Sequence, residues 1–352
     1  MDLNYQEFKD YIKENIKAEL PAEYETAKVE INQITKNNGI VLDGLTIHQE
    51  GHSISPTIYL NDLYAEYRDS GDIKGIISKV ADIYVDAMEQ APEIKNFDLE
   101  KELFSERMKE LITFRVCGYD SNKEMLETMP HERVGDMALT YHVIATQTKE
   151  GLGSIRITDS LLERLGLDET ELKALAVENT LRMYPPTLRS MTEVIDEMMY
   201  GNPMGSGSIT QELQEDKMYV LSNISGINGA TSLFYPDLQE QIADVLGSNY
   251  YVLPSSIHEC LILPDHGMMS QQELAAMVKE INETQVAPNE VLTNNVYHYD
   301  KAVKELTSFL KPKEKQKELK PSMRETLQKA KEEQKKLLAM PKPEKLKPSL
   351  ER

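Results

Sequence analysis

This chain of 352 residues lacks tryptophan and has only two cysteines, Cys117 and Cys260. It also lacks any apolar run near the 18 residues of a membrane span. The N-terminus has neither the basic start nor the continuous apolar stretch of a signal peptide. Because each cysteine lies in an apolar segment far from the other, we expect buried free thiols and a reducing compartment. These absences predict a cytoplasmic protein with no membrane partner.

Motifs of metal and nucleotide sites are missing as well. The sequence contains no His-Glu-x-x-His, no Cys-x-x-Cys and no acidic calcium loop. The glycine-rich segment 201–207 lacks the Gly-Lys-Ser/Thr ending of a P-loop. We therefore expect no metal ion and no cofactor.

Charge is divided unevenly along the chain. Residues 311–352 hold 14 Lys and Arg against 7 Asp and Glu, which leaves 25 basic and 52 acidic residues in positions 1–310. Five prolines interrupt this Lys-rich tail, and it has too few apolar residues to order itself, so we expect disorder. The sequence thus predicts a folded acidic body over residues 1–310, followed by a basic tail.

This division limits the partners of each part. The acidic body is expected to be repelled by nucleic acid and by anionic lipid, whereas the tail has the charge to contact nucleic acid or an acidic protein. The alternative for the body is a surface that imitates DNA and occupies a DNA-handling protein. That hypothesis demands one contiguous negative face.

Hydrophobic periodicity predicts an α+β protein that starts with a helix-rich lobe. Apolar residues at helical spacing predict helices over 8–20, 57–69 and 72–90. Alternating residues on both sides of Asn37-Asn38-Gly39 predict a β-hairpin. We assign this lobe to residues 1–130.

Residues 131–305 are predicted to form a mixed α/β lobe of hairpins and helices. Asp168 and Ser270 occupy helix N-cap positions, each with a glutamate three residues later. Residues 187–200 are predicted to be helical. Residues 201–208 (GNPMGSGS) are predicted to form a flexible connector. Strands are predicted over 218–223, 230–234, 250–253 and 258–263, the first two forming a hairpin.

Five distinctive sequence motifs follow one another along the chain: DMALTYHVI, ITDSLLERLGL, YVLSN-x-x-GINGA, YVLPSSIHECLILPD and EINETQVAPNEVL. In this order the chain resembles the uncharacterised bacterial family called domain of unknown function 5688, over roughly residues 5–305. The resemblance implies no reaction, cofactor or site residue, because none is assigned to that family. The tail phrase KPSMRETLQKAKEEQKK resembles terminal segments of proteins carried on conjugative elements, which implies a mobile element as the source.

The most enzyme-like string is Ser255-Ser256-Ile257-His258-Glu259. A nucleophilic serine needs a base within hydrogen-bond reach, and Ser255 or Ser256 is close enough to His258 in sequence to meet it in a turn. The string lacks the Gly-x-Ser-x-Gly elbow that exposes such a serine. A polar turn whose serines satisfy backbone groups is the competing interpretation, and we prefer it.

Tyrosine is abundant, with 17 residues against 6 phenylalanines. Tyrosines cluster on the predicted helical pair and near the last strands, where they predict either a protein-binding face or the edge of a core. The sequence therefore predicts a non-enzymatic accessory factor that binds another protein. A serine hydrolase and an acidic DNA mimic are the alternatives, and the oligomeric state is left open.

Overall fold

The fold is taken from a computed structural model, in which the described residues are 2–49, 55–90, 105–147, 152–200, 218–267 and 269–308. The predicted connector 201–208 and the predicted tail 311–352 lie outside these residues. Within them the protein is α+β, as predicted, and the sheets are antiparallel throughout. No helix in this part of the chain is long and apolar enough to cross a membrane.

The helices are spread along the whole described chain. They are α1 (Tyr5–Asn15), α2 (Leu60–Ser70), α3 (Ile73–Gln90), α4 (Glu106–Lys109), α5 (Lys123–Leu126), α6 (Asp159–Leu165), α7 (Glu169–Met183), α8 (Met191–Tyr200), α9 (Leu238–Leu246) and α10 (Gln271–Thr284). A 3₁₀-helix spans Gly229–Phe234.

The strands form three sheets. The first contains β1 (Lys28–Thr35), β2 (Val41–His48) and β3 (Thr57–Tyr59). The second contains β4 (Ile112–Gly118), β5 (His131–Val134), β6 (Met137–Gln147) and β7 (Leu152–Arg156), with β6 paired to the other three strands. The third has the order β13-β12-β10-β11-β9-β8, from β8 (Pro186–Ser190), β9 (Tyr219–Asn223), β10 (Tyr250–Leu253), β11 (Cys260–Pro264), β12 (Tyr297–Asp300) and β13 (Glu305–Ser308).

Two large apolar clusters hold these elements. The first joins α1, α2 and α3 to the first sheet through side chains such as Phe8, Leu45 and Tyr84. The second lies between the second and third sheets and includes Phe114 and Ile262. Burial of such side chains contributes about 1.5–3 kcal/mol each. The division into lobes at residue 130 stays a prediction.

The tip of the first hairpin is hydrogen-bonded to the loop that precedes β12. The turn Asn37–Gly39 was predicted from its Asn-Asn-Gly sequence, and both Asn38 and Gly39 have positive φ. The Asn38 amide donates to the carbonyls of Pro288 (2.9 Å) and Val291 (2.7 Å), far along the chain. The hairpin therefore fixes the position of the loop that precedes β12.

Three segment predictions were wrong. Residues 57–59, predicted as the start of a helix, form strand β3 beside β2, and α2 begins only at Leu60. Residues 187–190 belong to strand β8, and α8 begins only at Met191, where Ser190 and Glu193 exchange backbone and side-chain hydrogen bonds. Residues 230–234 belong to a 3₁₀-helix and not to a second hairpin. Every residue of that 3₁₀-helix is buried. Because the segment has no exposed side, its hydrophobic pattern does not distinguish a helix from a strand.

The tyrosines mostly lie in the cores. Tyr67, Tyr84, Tyr250, Tyr297 and Tyr299 are all buried. Tyr250 stacks on Tyr299 with ring centroids 5.1 Å apart. The hypothesis of a protein-binding face therefore gains no support from these five side chains.

Candidate functional site

The string Ser255 to His258 forms the connection between β10 and β11. Both serines are more than nine-tenths buried. Ser256 forms an isolated antiparallel bridge with Val291, and the Ser255 carbonyl accepts a hydrogen bond of 2.9 Å from the Leu292 N–H. The turn is thus held against the loop that precedes β12.

The imidazole of His258 is oriented by groups other than the serines. Its Nδ1 accepts a hydrogen bond of 3.2 Å from the Asn228 N–H, which places the ring proton on Nε2. That nitrogen lies 3.6 Å from a carboxylate oxygen of Glu290. Ser256 Oγ accepts a hydrogen bond of 3.0 Å from the His258 backbone N–H.

These contacts resemble half of a catalytic triad. A histidine and a nearby carboxylate are present in His258 and Glu290, 3.6 Å apart and without a hydrogen bond between them, whereas a nucleophile must also donate to the base. Among the hydrogen bonds of the described residues, none joins the imidazole to the hydroxyl of Ser255 or Ser256. The geometry is that of a turn whose polar groups satisfy the backbone.

A glycine explains why this turn lies so close to the segment 226–229. A Cβ added to Gly229 would lie 2.4 Å from the His258 carbonyl oxygen and 2.0 Å from Ser222 Oγ. Asn228, next to it, has φ +52°. The segments GINGA (226–230) and SSIHEC (255–260) are therefore in close contact, and the absence of a side chain at Gly229 allows this approach.

Neither cysteine offers a reactive thiolate. Cys117 and Cys260 are free and buried, as the sequence predicted. Burial raises the pKa of the Cys117 thiol to about 12, and it also raises the pKa of the Cys260 thiol. Over the described part of the chain, no group of three His, Cys, Asp or Glu side chains is arranged to hold a metal ion.

A carboxylate links the second sheet to the start of β12. Asp136, in the turn between β5 and β6, accepts hydrogen bonds from the side chains of Thr293, Asn295 and Tyr297. Burial and, secondly, the charge of Asp136 raise the pKa of Tyr297. These contacts span more than 150 residues of sequence, and they act as a polar crosslink.

The exposed end of α8 is a feature that the sequence prediction missed. Ile195, Met198 and Met199 are 46%, 81% and 68% exposed, and the following Tyr200 is 70% exposed. None of the residues of α8 is buried. The sequence does contain the signals for this helix and its apolar end. Ser190 and Glu193 have the spacing of a capping box at the helix start, and Met198 and Met199 lie in its last turn.

Comparison with known families gives one match. Residues 5–301 match a family of unknown function, DUF5688. The chain belongs to this family. A search of curated proteins and a search of solved structures each found no match.

The family match confirms the resemblance that the order of the five sequence motifs indicated. It covers the Ser255–His258 turn, Asp136 and α8, and it ends within the turn after β12. Because the family has no assigned reaction, these features are interpreted from their own geometry.

Proposed function

We propose that this member of the family is a non-enzymatic accessory protein that binds another protein through α8. The observation that carries the proposal is the exposed apolar end of this helix. Ile195, Met198 and Met199 stand at helical positions i, i+3 and i+4, which place their side chains side by side. Single exposed apolar residues are ordinary, whereas a contiguous group favours a contact surface.

Methionine suits such a contact. Its unbranched, polarizable side chain adapts to partner surfaces of different shape. Tyr200 at the end of the helix adds an aromatic ring, a residue type enriched where proteins meet. Burial of Met198 and Met199 by a partner would stabilise the complex by about 1.5–3 kcal/mol for each side chain.

The charges of α8 indicate the chemistry of the partner. The helix carries Glu193, Asp196 and Glu197 and has no Lys or Arg. Glu197 pairs with Arg189 of β8, and Glu193 accepts a hydrogen bond from the Ser190 N–H. The partner that fits is a protein surface with an apolar centre and a basic rim.

A charged substitution at the apolar end tests the proposal. We expect full-length protein to retain one partner in affinity capture, and the double variant Met198→Glu/Met199→Glu to lose it. Val303→Glu is the matched control, because Val303 is a similarly exposed apolar side chain, 65% accessible, in the turn between β12 and β13. The captured partner is then purified and its Kd is measured with all three proteins.

The outcomes separate the proposal from its alternatives. Equal Kd values for the three proteins would place the contact elsewhere and overturn the assignment to α8. Hydrolysis of a generic ester by the wild type, lost in His258→Ala, would instead support the serine-hydrolase alternative and refute the non-enzymatic role. The DNA-mimic alternative stays a prediction without a specific observation in its favour.

A further inference from the structure

The exposed end of α8 and the C-terminal tail have complementary charge. α8 carries three acidic residues and no basic one, and Ile195, Met198 and Met199 are 46–81% exposed on it. The tail, residues 311–352, lies outside the described residues, and its sequence holds 14 Lys and Arg against 7 Asp and Glu. The net charge of the tail is therefore opposite to that of α8.

One segment of the tail has the pattern required of a partner for α8. In residues 322–338 (SMRETLQKAKEEQKKLL), the apolar residues follow one another at intervals of four, three and seven, which place them on one face of a helix. They are Met323, Leu327, Ala330 and Leu337. The same segment contains five Lys or Arg against three Glu. Its sequence thus combines an apolar stripe with an excess of basic residues.

The chain between β13 and this segment is long enough to reach α8. β13 and β8 are the two edges of the third sheet, five strand spacings or about 24 Å apart. Because every neighbouring pair is antiparallel, Ser308 at the end of β13 and Ser190 at the end of β8 lie at opposite ends of the sheet, which adds about 15 Å along the strands.

These two offsets give a straight separation of about 28 Å, and Met199 lies at most about 12 Å farther along α8. The required reach is therefore about 40 Å. The 14 residues from Ser308 to Ser322 span up to about 46 Å when extended.

A segment of the same chain needs little affinity to occupy this surface. Attachment through a short linker gives an effective concentration on the order of 1 mM, so a contact with a Kd of about 1 mM is occupied about half of the time. Exposed ion pairs add modestly to such a contact and weaken in salt. A partner protein of higher affinity would displace the segment.

From these observations we infer that residues 322–338 of the same chain cover the apolar end of α8 and compete with the partner protein for it. The inference rests on the proposed function of α8 as a contact surface and adds a regulation to it, because the partner must displace the tail. The apolar stripe of the segment would contact Met198 and Met199, and its lysines would lie beside the carboxylates of α8.

The test traps this contact by disulfide formation in the full-length protein. Tyr200→Cys, at the 70% exposed end of α8, is combined with Gln334→Cys. Gln334 lies on the apolar stripe, four residues after Ala330, so the pair leaves every apolar residue of the stripe in place. Cys117 and Cys260 are buried and do not compete. The rate of disulfide formation within one chain is measured in a glutathione buffer by electrophoresis and mass spectrometry.

Val303→Cys with Gln334→Cys is the matched control. Val303 is 65% exposed and closer along the chain to the tail, so a tail without a preferred site would be trapped there at least as fast. Each rate is divided by the rate at which the cysteine at position 200 or 303 reacts with a small disulfide, because nearby charges change thiolate formation. We expect the corrected rate at position 200 to be about 10-fold higher.

Two charge variants test the segment itself. Lys335→Glu/Lys336→Glu, added to the pair at 200 and 334, should lower the corrected rate to that of the control. Lys345→Glu/Lys347→Glu makes the same change of charge outside the segment and should leave the rate unchanged.

Each result decides the inference. A corrected rate at position 200 no higher than at 303, an equal loss in both lysine variants, or disulfides only between two chains would overturn the contact. A higher rate at position 200 that only Lys335→Glu/Lys336→Glu removes would support it. Trapping needs no partner, so the two proposals fail separately. Preferential trapping with no partner held by α8 would refute the proposed function, whereas a partner held by α8 without preferential trapping would refute the tail contact.

Discussion

Acid should weaken the fold through His142, and replacing this histidine should remove that effect. Its imidazole is buried beside two guanidinium groups, those of Arg115 and Arg156, and its pKa in the folded state is well below the usual range. The substitution His142→Gln keeps a polar side chain that can still bond to Thr140 Oγ1. It removes the titrating group.

The direction follows from which state binds the proton. In the unfolded chain the imidazole has a pKa of about 6.5 and takes up a proton as the pH falls below that value. The folded protein binds no proton at His142 in the same range, so the unfolded state gains stability there. The contribution of neutral His142 is complete above about pH 6.5 and is lost as the pH falls toward the lowered pKa of the folded state.

The magnitude is set by one proton. The slope reaches about 1.4 kcal/mol per pH unit below pH 6.5, so between pH 7.5 and 5.0 the wild type should lose about 2 kcal/mol through this residue. Carboxylates elsewhere also contribute to the pH dependence. The informative quantity is therefore the difference between wild type and His142→Gln at each pH.

Urea unfolding at a series of pH values measures this difference. The stability of His142→Gln relative to wild type should rise by about 2 kcal/mol from pH 7.5 to pH 5.0. The control is His48→Gln, because His48 has a side chain that is 47% exposed and lies on another sheet. Parallel curves for wild type and His142→Gln would refute a buried neutral imidazole.

Two further predictions concern stability. Tyr297→Phe should lower the free energy of unfolding by about 1–3 kcal/mol, because its hydroxyl donates to the Asp136 carboxylate, whereas Tyr250→Phe, whose hydroxyl donates to a backbone carbonyl, should cost about 0.5–1.5 kcal/mol. Urea unfolding of both variants checks the order, and a larger loss in Tyr250→Phe would contradict it. Gly229→Ala should destabilise the protein by about 1–3 kcal/mol, because its Cβ would collide with the His258 carbonyl. A melting temperature equal to that of the wild type would contradict this, because it would show that the turn shifts to accommodate the methyl group without loss of stability.

The features that sequence predicted well are local. Ser270 caps α10 through a capping box with Glu273, and Asp168 caps α7, as their spacing indicated. The first hairpin turn formed where Asn38-Gly39 accommodates positive φ. Each of these signals depends on hydrogen bonds or backbone angles within a few residues.

Features that depend on distant partners were not predictable in this way. The sequence brought His258 near two serines, but the structure pairs its ring with Asn228 and Glu290, each about 30 residues away. Alternation along β4 places Arg115 on the polar face of its strand. Only the strand register shows that His142 and Arg156 lie on the same face.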